Sequence, residues 1–118
     1  MPQMSHRIRI LPAVQTDIEE ALSFTFRRFG ERKYEEYRDL IHGAIEEIAA
    51  DPDHPRAKRR PEFHKSARTF HIGRPGQRAR HFFLYRIADD GVVEFARFLY
   101  DGMDLARHLP REYGNDPE

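Results

Sequence analysis

Between Val14 and Ile48 the apolar residues recur every three or four positions; from residue 66 onward they recur at every second position along one strand face or along both. A period near 3.6 gives a helix one apolar stripe, and a period of two gives a strand one apolar face. A chain that switches once from the first to the second builds helices and then a sheet. The helical stretch is interrupted at Gly30. Before it, Val14, Ile18, Ala21, Leu22, Phe26 and Phe29 keep the spacing. After it, Tyr34, Tyr37, Ile41, Ala44, Ile45 and Ile48 keep it as far as Asp51-Pro52. Glycine suits a helix C-cap because it has no Cβ. So short a joint makes the two helices an antiparallel hairpin. Thr16-Asp17-Ile18-Glu19 has the form of a capping box, a start signal for the first helix.

Ahead of the hairpin, residues 6–11 put Ile8 and Ile10 on one face, which reads as a short strand ended by Pro12. After it, residues 52–65 carry Pro52, Pro55 and Pro61 and read as loop. Three further strands are expected, at 66–72, 80–87 and 92–99. Gly73-Arg-Pro-Gly-Gln and Asp89-Asp90-Gly91 mark the hairpin turns between them. The expected fold class is α+β, in the order β-α-α-β-β-β, with the helical hairpin packed on a small, mainly antiparallel sheet. At 118 residues the chain fits a single domain spanning 1–118, with 111–118 expected to fray.

The last two strands are apolar on both faces. Phe82 and Leu84 lie opposite Phe83, Tyr85 and Ile87; Val92, Ala96 and Phe98 lie opposite Val93, Phe95 and Leu99. Only one face rests on the helices. Either the chain's own loops and tail cover the second, or a partner does. The helix aromatics Phe26, Phe29, Tyr34 and Tyr37 read as core at the hairpin bend. They also border any groove in which a partner helix would lie.

Net charge is zero, yet residues 54–86 alone carry +9 between two acidic flanks. Such a band suits an anionic partner: nucleic acid, an acidic protein segment, or the chain's own flanks. The absence of cysteine excludes disulfides, thiolate metal sites and cysteine nucleophiles. No apolar run is long enough to cross a bilayer and no secretion signal is visible, so a soluble, cytoplasmic protein is expected. The seven histidines form no His-x-x-x-His pair, and no metal site or cofactor is expected. His64 and His71 fall on opposite faces of an extended segment. No glycine-rich phosphate loop and no serine nucleophile arrangement can be assembled.

Three stretches together resemble the ParE branch of the ParE/RelE toxin superfamily across residues 7–110. They are Ala13…Asp17-Ile18…Ala21, then Phe82-Phe83-Leu84-Tyr85-Arg86-Ile87, and then Val93-Glu94-Phe95…Arg97-Phe98-Leu99-Tyr100-Asp101-Gly102-Met103-Asp104…Arg107-His108-Leu109. The resemblance implies a toxin of a type II toxin–antitoxin pair, neutralised by a ParD-like antitoxin in a hetero-oligomeric complex. It implies action on DNA gyrase, alone or with its bound DNA, without chemistry by the toxin itself. RelE-branch members instead cut mRNA on the ribosome.

Cutting RNA through its 2′-hydroxyl needs a base, a cation and an acid. Where RelE-branch nucleases often hold an arginine, this chain has Phe82. Where one group of them holds histidine and tyrosine, it has Tyr100 and Asp101. These departures speak against a nuclease. A divergent one would have to be assembled from Glu62, Arg68, Arg80 and Tyr100. A second alternative is an antitoxin-binding scaffold without toxicity. The expected target-binding residues are Arg68, Arg78, Arg80, Arg107 and Leu109. Phe82, Leu84 and Phe98 are expected to contact the antitoxin. Arginines on strands also blunt sheet edges, which is the plainer reading of each taken singly.

Overall fold

The two periods fold into two layers. The computed structural model describes residues 5–103, 105–110 and 113. Strand β1 (Ile8–Ile10) leads into helices α1 (Pro12–Phe29) and α2 (Glu31–Ala50). Strands β2 (Lys58–Arg59), β3 (Ala67–His71), β4 (His81–Ile87) and β5 (Val93–Tyr100) follow, and a 3₁₀ turn spans Leu105–His108. The sheet order is β1-β5-β4-β3-β2. Only β1 is parallel to its neighbour, because the hairpin carries the chain across the sheet before it returns. The α+β class and element order are those expected. Strand β2 is an addition inside the stretch read as loop: Lys58 and Arg59 pair with Thr69 and Arg68.

Gly30 closes one helix and opens the next. Its φ of 91° lies where a Cβ would be strained, its N–H donates to the Phe26 carbonyl, and its own carbonyl accepts from Tyr34. The first helix starts earlier than the capping box suggests. Leu11 is the N-cap and offers no side-chain hydrogen bond, and Pro12 opens the first turn. Proline suits that position because its missing N–H needs no partner there. Thr16 therefore lies inside the helix.

The main core lies between layers, where Val14, Ile41, Ile48, Phe70, Phe83, Tyr85, Val93 and Phe95 are almost fully buried. A bulge in β5 corrects one reading of the faces. Leu84 pairs with Arg97 and Tyr85 with Phe95, so Ala96 is the extra residue. One extra residue flips every side chain that follows it. Phe98 thus joins Phe83 and Phe95 on the helix side, its ring 4.7 Å from that of Phe83. It does not share a face with Phe82 and Leu84.

Of the two covers left open for the second face, the chain's own loops and tail supply it. Ala67, Leu84, Ala96 and Leu99 form a second cluster with Leu105 and Tyr113 of the tail, and Phe63, Phe82, Met103 and Leu109 pack around it. Leu84 is wholly buried. Of the stretch 111–118, expected to fray, only Tyr113 lies among the described residues, and it is packed. The Arg86 guanidinium sits 5.1 Å from its ring centre. Phe26 and Phe29, read as core, are more than half exposed on α1, whereas Tyr37 packs inward.

One side chain joins the layers. Asp17 accepts Nε and Nη2 of Arg97 at 2.8 and 2.9 Å, and the backbone N–H of Phe98 at 2.9 Å. Arg97 also donates to the carbonyl of His108 in the tail. Replacing Asp17 by Ala strands a half-buried guanidinium and a strand amide together. The expected cost is about 3 kcal/mol, read as a lower denaturant midpoint at unchanged slope. Asp17→Asn, which keeps an acceptor for Phe98, is expected to cost less. Equal midpoints for Asp17→Ala and the parent would refute this.

Candidate functional site

The polar chemistry that is not consumed internally gathers where β4 begins and β5 ends. Tyr100 pairs with His81 in register, and the Asp101 amide donates to the carbonyl of Arg80. The Tyr37 hydroxyl, reaching over from α2, accepts the backbone N–H of Arg80 at 3.0 Å and lies 2.6 Å from Nδ1 of His81. We assign this short contact as the hydroxyl donating to Nδ1. His81 is then neutral, with its own proton on Nε2. Burial pushes the His81 pKa down to about 4 and pushes that of Tyr37 up. The imidazole stacks flat on Phe98, 4.8 Å between centres.

His71 stands nearby but is fully engaged. Its Nδ1 accepts from Gly73 N–H at 3.0 Å, and its Nε2 donates to Asp101 at 3.1 Å. Neither nitrogen is left to act as a base.

Helix α1 and strand β5 start side by side, since the Leu11 amide donates to the Phe95 carbonyl, and they run in the same direction. Two turns beyond Asp17, Phe24 therefore comes level with Tyr100. Between them lies a cleft of about 440 Å³. Phe24, Phe98, Leu99, Tyr100 and Met103 supply apolar walls, and Arg80 and His81 supply donors. Phe24 and Tyr100 are 57% and 50% exposed, so the cleft has aromatic rims open to solvent.

The cationic band divides. Arg56 and Arg74 pair with Glu47, Arg60 with Glu62, Arg68 with Asp53 and Arg86 with Glu94. Glu47, Asp53 and Glu94 of the acidic flanks thus offset part of the +9, while Glu62 belongs to the band itself. Lys58, Arg59, Lys65, Arg78 and Arg80 are exposed and make no ion pair among the described residues.

Of the expected target-binding residues, Arg78, Arg80 and Arg107 are exposed and Leu109 is half-buried against the second cluster. Arg68 is 3% exposed, with its guanidinium on Asp53 and the Ser66 carbonyl. It is an internal tie with no surface to offer a target. Of the expected antitoxin contacts, Phe82 is half-buried, and Leu84 and Phe98 lie inside the two clusters. The four residues of the alternative nuclease are not gathered. Glu62 is bonded to Arg60 at 2.8 Å beside β2, Arg68 sits in mid-β3 opposite Tyr85, and Arg80 and Tyr100 stand at the far end. Among the described residues no group of three or more metal-ligating side chains is clustered.

Sequence reasoning passed over Asp17, Tyr37 with His81, and Phe24 as parts of one place. Phe24 carried a signal: it is a large aromatic off the apolar stripe of its helix. The Tyr37–His81 pair, 44 residues apart, carried none.

The half-buried, neutral His81 gives a pH dependence of definite sign. Its folded value lies below the ordinary 6.5, so between pH 6.5 and about 4 the unfolded chain binds the extra proton. Stability is full above 6.5 and falls toward pH 4. Tyr37, Arg80, His71, Asp101 and Asp17 are the charged and titratable groups around it. The loss expected between pH 7 and 4.5 is about 2 kcal/mol beyond that of His81→Asn, read from denaturant midpoints at both pH values. Parallel profiles for the two proteins would refute it.

The comparisons with known proteins agree with this architecture. A family model described as the ParE toxin of type II toxin-antitoxin system, parDE, matches residues 8–105. Toxin ParE1 of Mycobacterium tuberculosis, strain CDC 1551 / Oshkosh, is 31% identical over 108 residues, which cover 90% of this chain and all of that protein. Toxin ParE1 of strain ATCC 25618 / H37Rv matches with the same identity and coverage. With its helical hairpin on a mixed five-stranded sheet, the chain belongs to the ParE toxin family of type II toxin–antitoxin systems.

Proposed function

We propose that this toxin inhibits DNA gyrase without chemistry of its own and is held inactive by a ParD-like antitoxin, in a hetero-oligomeric cytoplasmic complex. Membership of the family implies an antitoxin partner. The observation that carries the non-catalytic reading is the dispersal of Glu62, Arg68, Arg80 and Tyr100. Two of them are spent on internal ion pairs, and the remaining pair stands at the opposite end of the sheet. His71, the other candidate base, has both nitrogens engaged. No described helix is long and apolar enough to cross a membrane.

The target surface in this reading is the exposed basic end formed by Arg78 and Arg80, with Arg107 and Leu109 of the tail. Contact with gyrase-bound DNA through such arginines would be strongly salt-dependent and carry no sequence preference. Phe82, half-buried beside the tail, is the one expected antitoxin contact that still offers surface.

The test is purified toxin with gyrase and supercoiled plasmid, with and without ATP, followed by protease treatment. Toxin-dependent linear DNA is the expected product. Arg78→Ala with Arg80→Ala is expected to weaken the effect by about tenfold, close to 1.4 kcal/mol, without loss of fold. Arg68→Ala is expected instead to lower stability by about 2 kcal/mol. A preparation that halts growth yet leaves gyrase untouched would overturn the gyrase reading and send the search to ribosome-bound mRNA. Unimpaired growth on expression without the antitoxin would favour a non-toxic scaffold.

A further inference from the structure

The cleft between α1 and the end of β5 has a built chemistry of which the proposed inhibition uses only Arg80. At its acidic end Asp17 is taken up by Arg97, and the second carboxylate, Glu20, is exposed on the helix beside that pair. At its other end the Arg80 guanidinium has no carboxylate partner among the described residues, and the Tyr37 relay leaves the Nε2–H of His81 as the ring's remaining donor. The nearest carboxylate, Asp101, is engaged by His71. Two donors without an acceptor thus sit at one end of a cleft otherwise walled by Phe24, Leu99 and Met103.

We infer that this cleft seats an aromatic side chain of a protein partner, with a neighbouring carboxylate of the same segment on Arg80 and His81. The volume, about 440 Å³, lies in the range of pockets that enclose one small group. Charge complementarity selects the carboxylate: a neutral segment would leave both donors unpaired, and a cationic one would face Arg80. The exposed rims select a polypeptide over a free small acid. Phe24 and Tyr100 extend apolar surface beyond the cleft, which residues flanking an anchor would cover and a lone ring would leave wet. The segment is not an added strand. The amide of Phe98, which an extra strand would use, is already held by Asp17.

The inference does not depend on gyrase being the target, and its test involves no gyrase. The probes are the peptides acetyl-Gly-Asp-Phe-Gly-amide, its Asn-Phe and Asp-Ala counterparts, and phenylacetate. Each is titrated into the full chain and followed by NMR at the Met103 methyl and the His81 ring. The Asp-Phe peptide is expected to shift both resonances and to bind at least about fivefold more tightly than either counterpart. Phe24→Ser and Arg80→Gln, both at exposed positions, are each expected to weaken it by a similar factor. Their unchanged amide spectra elsewhere would exclude misfolding. Equal binding of the Asn-Phe peptide, or shifts confined to other surfaces, would overturn the inference. Phenylacetate binding as tightly as the peptide would overturn the choice of a protein partner.

Discussion

The first helix and the last strand of this toxin are locked together by the carboxylate of Asp17, which accepts three hydrogen bonds at once. It meets the strand immediately beyond the bulge, and its partner Arg97 reaches on to the tail. An ion pair of this kind strengthens as water is excluded, but it also adds a desolvation cost. Here that cost is offset because both groups spend several hydrogen bonds at once. The amide that Asp17 accepts would otherwise be an open position on the sheet edge, since β1 covers only Val93 to Phe95. The same contact therefore fixes the angle between layers and blunts the edge against foreign strands.

Electrostatics divides the molecule into a settled part and an unsettled part. Glu47, Asp53 and Glu94 draw arginines of the basic band inward, and these pairs tie helix, loop and sheet together. The cations left over lie on the β2 edge, at Lys65, and at the turn before β4. A net charge of zero thus conceals a local cationic surface whose balancing carboxylates lie elsewhere in the chain, and anionic partners are expected to act there.

Periodicity alone revealed the helical hairpin, the three long strands and the glycine joint, because each depends on neighbours in the chain. What escaped depends on residues far apart. The bulge at Ala96 is one residue in a strand that otherwise alternates perfectly, and no local spacing announces it. Without it Phe98 is assigned to the wrong face. The tail cover over Leu84 was one of two open alternatives, and only packing decides between them. Arg68 looked like its exposed neighbours in sequence; the nearby Asp53 turned it into a structural tie. The site was legible as a basic strand end with Arg80, but its other wall, Phe24, comes from the first helix.

The parallel pairing of β1 with β5 has a consequence in time. Arg9 and Glu94 meet across 85 residues, so the sheet cannot close until β5 has been made. Helices α1 and α2, joined at one glycine, meet through contacts close in sequence and need no such wait. During synthesis the hairpin can therefore form while β1 is still unpartnered, and the fixed cleft wall at β5 is absent until that strand follows. A product of translation truncated before β5 lacks that wall and the Asp17–Arg97 lock together. The fold thus confines assembled toxin to chains already translated through β5.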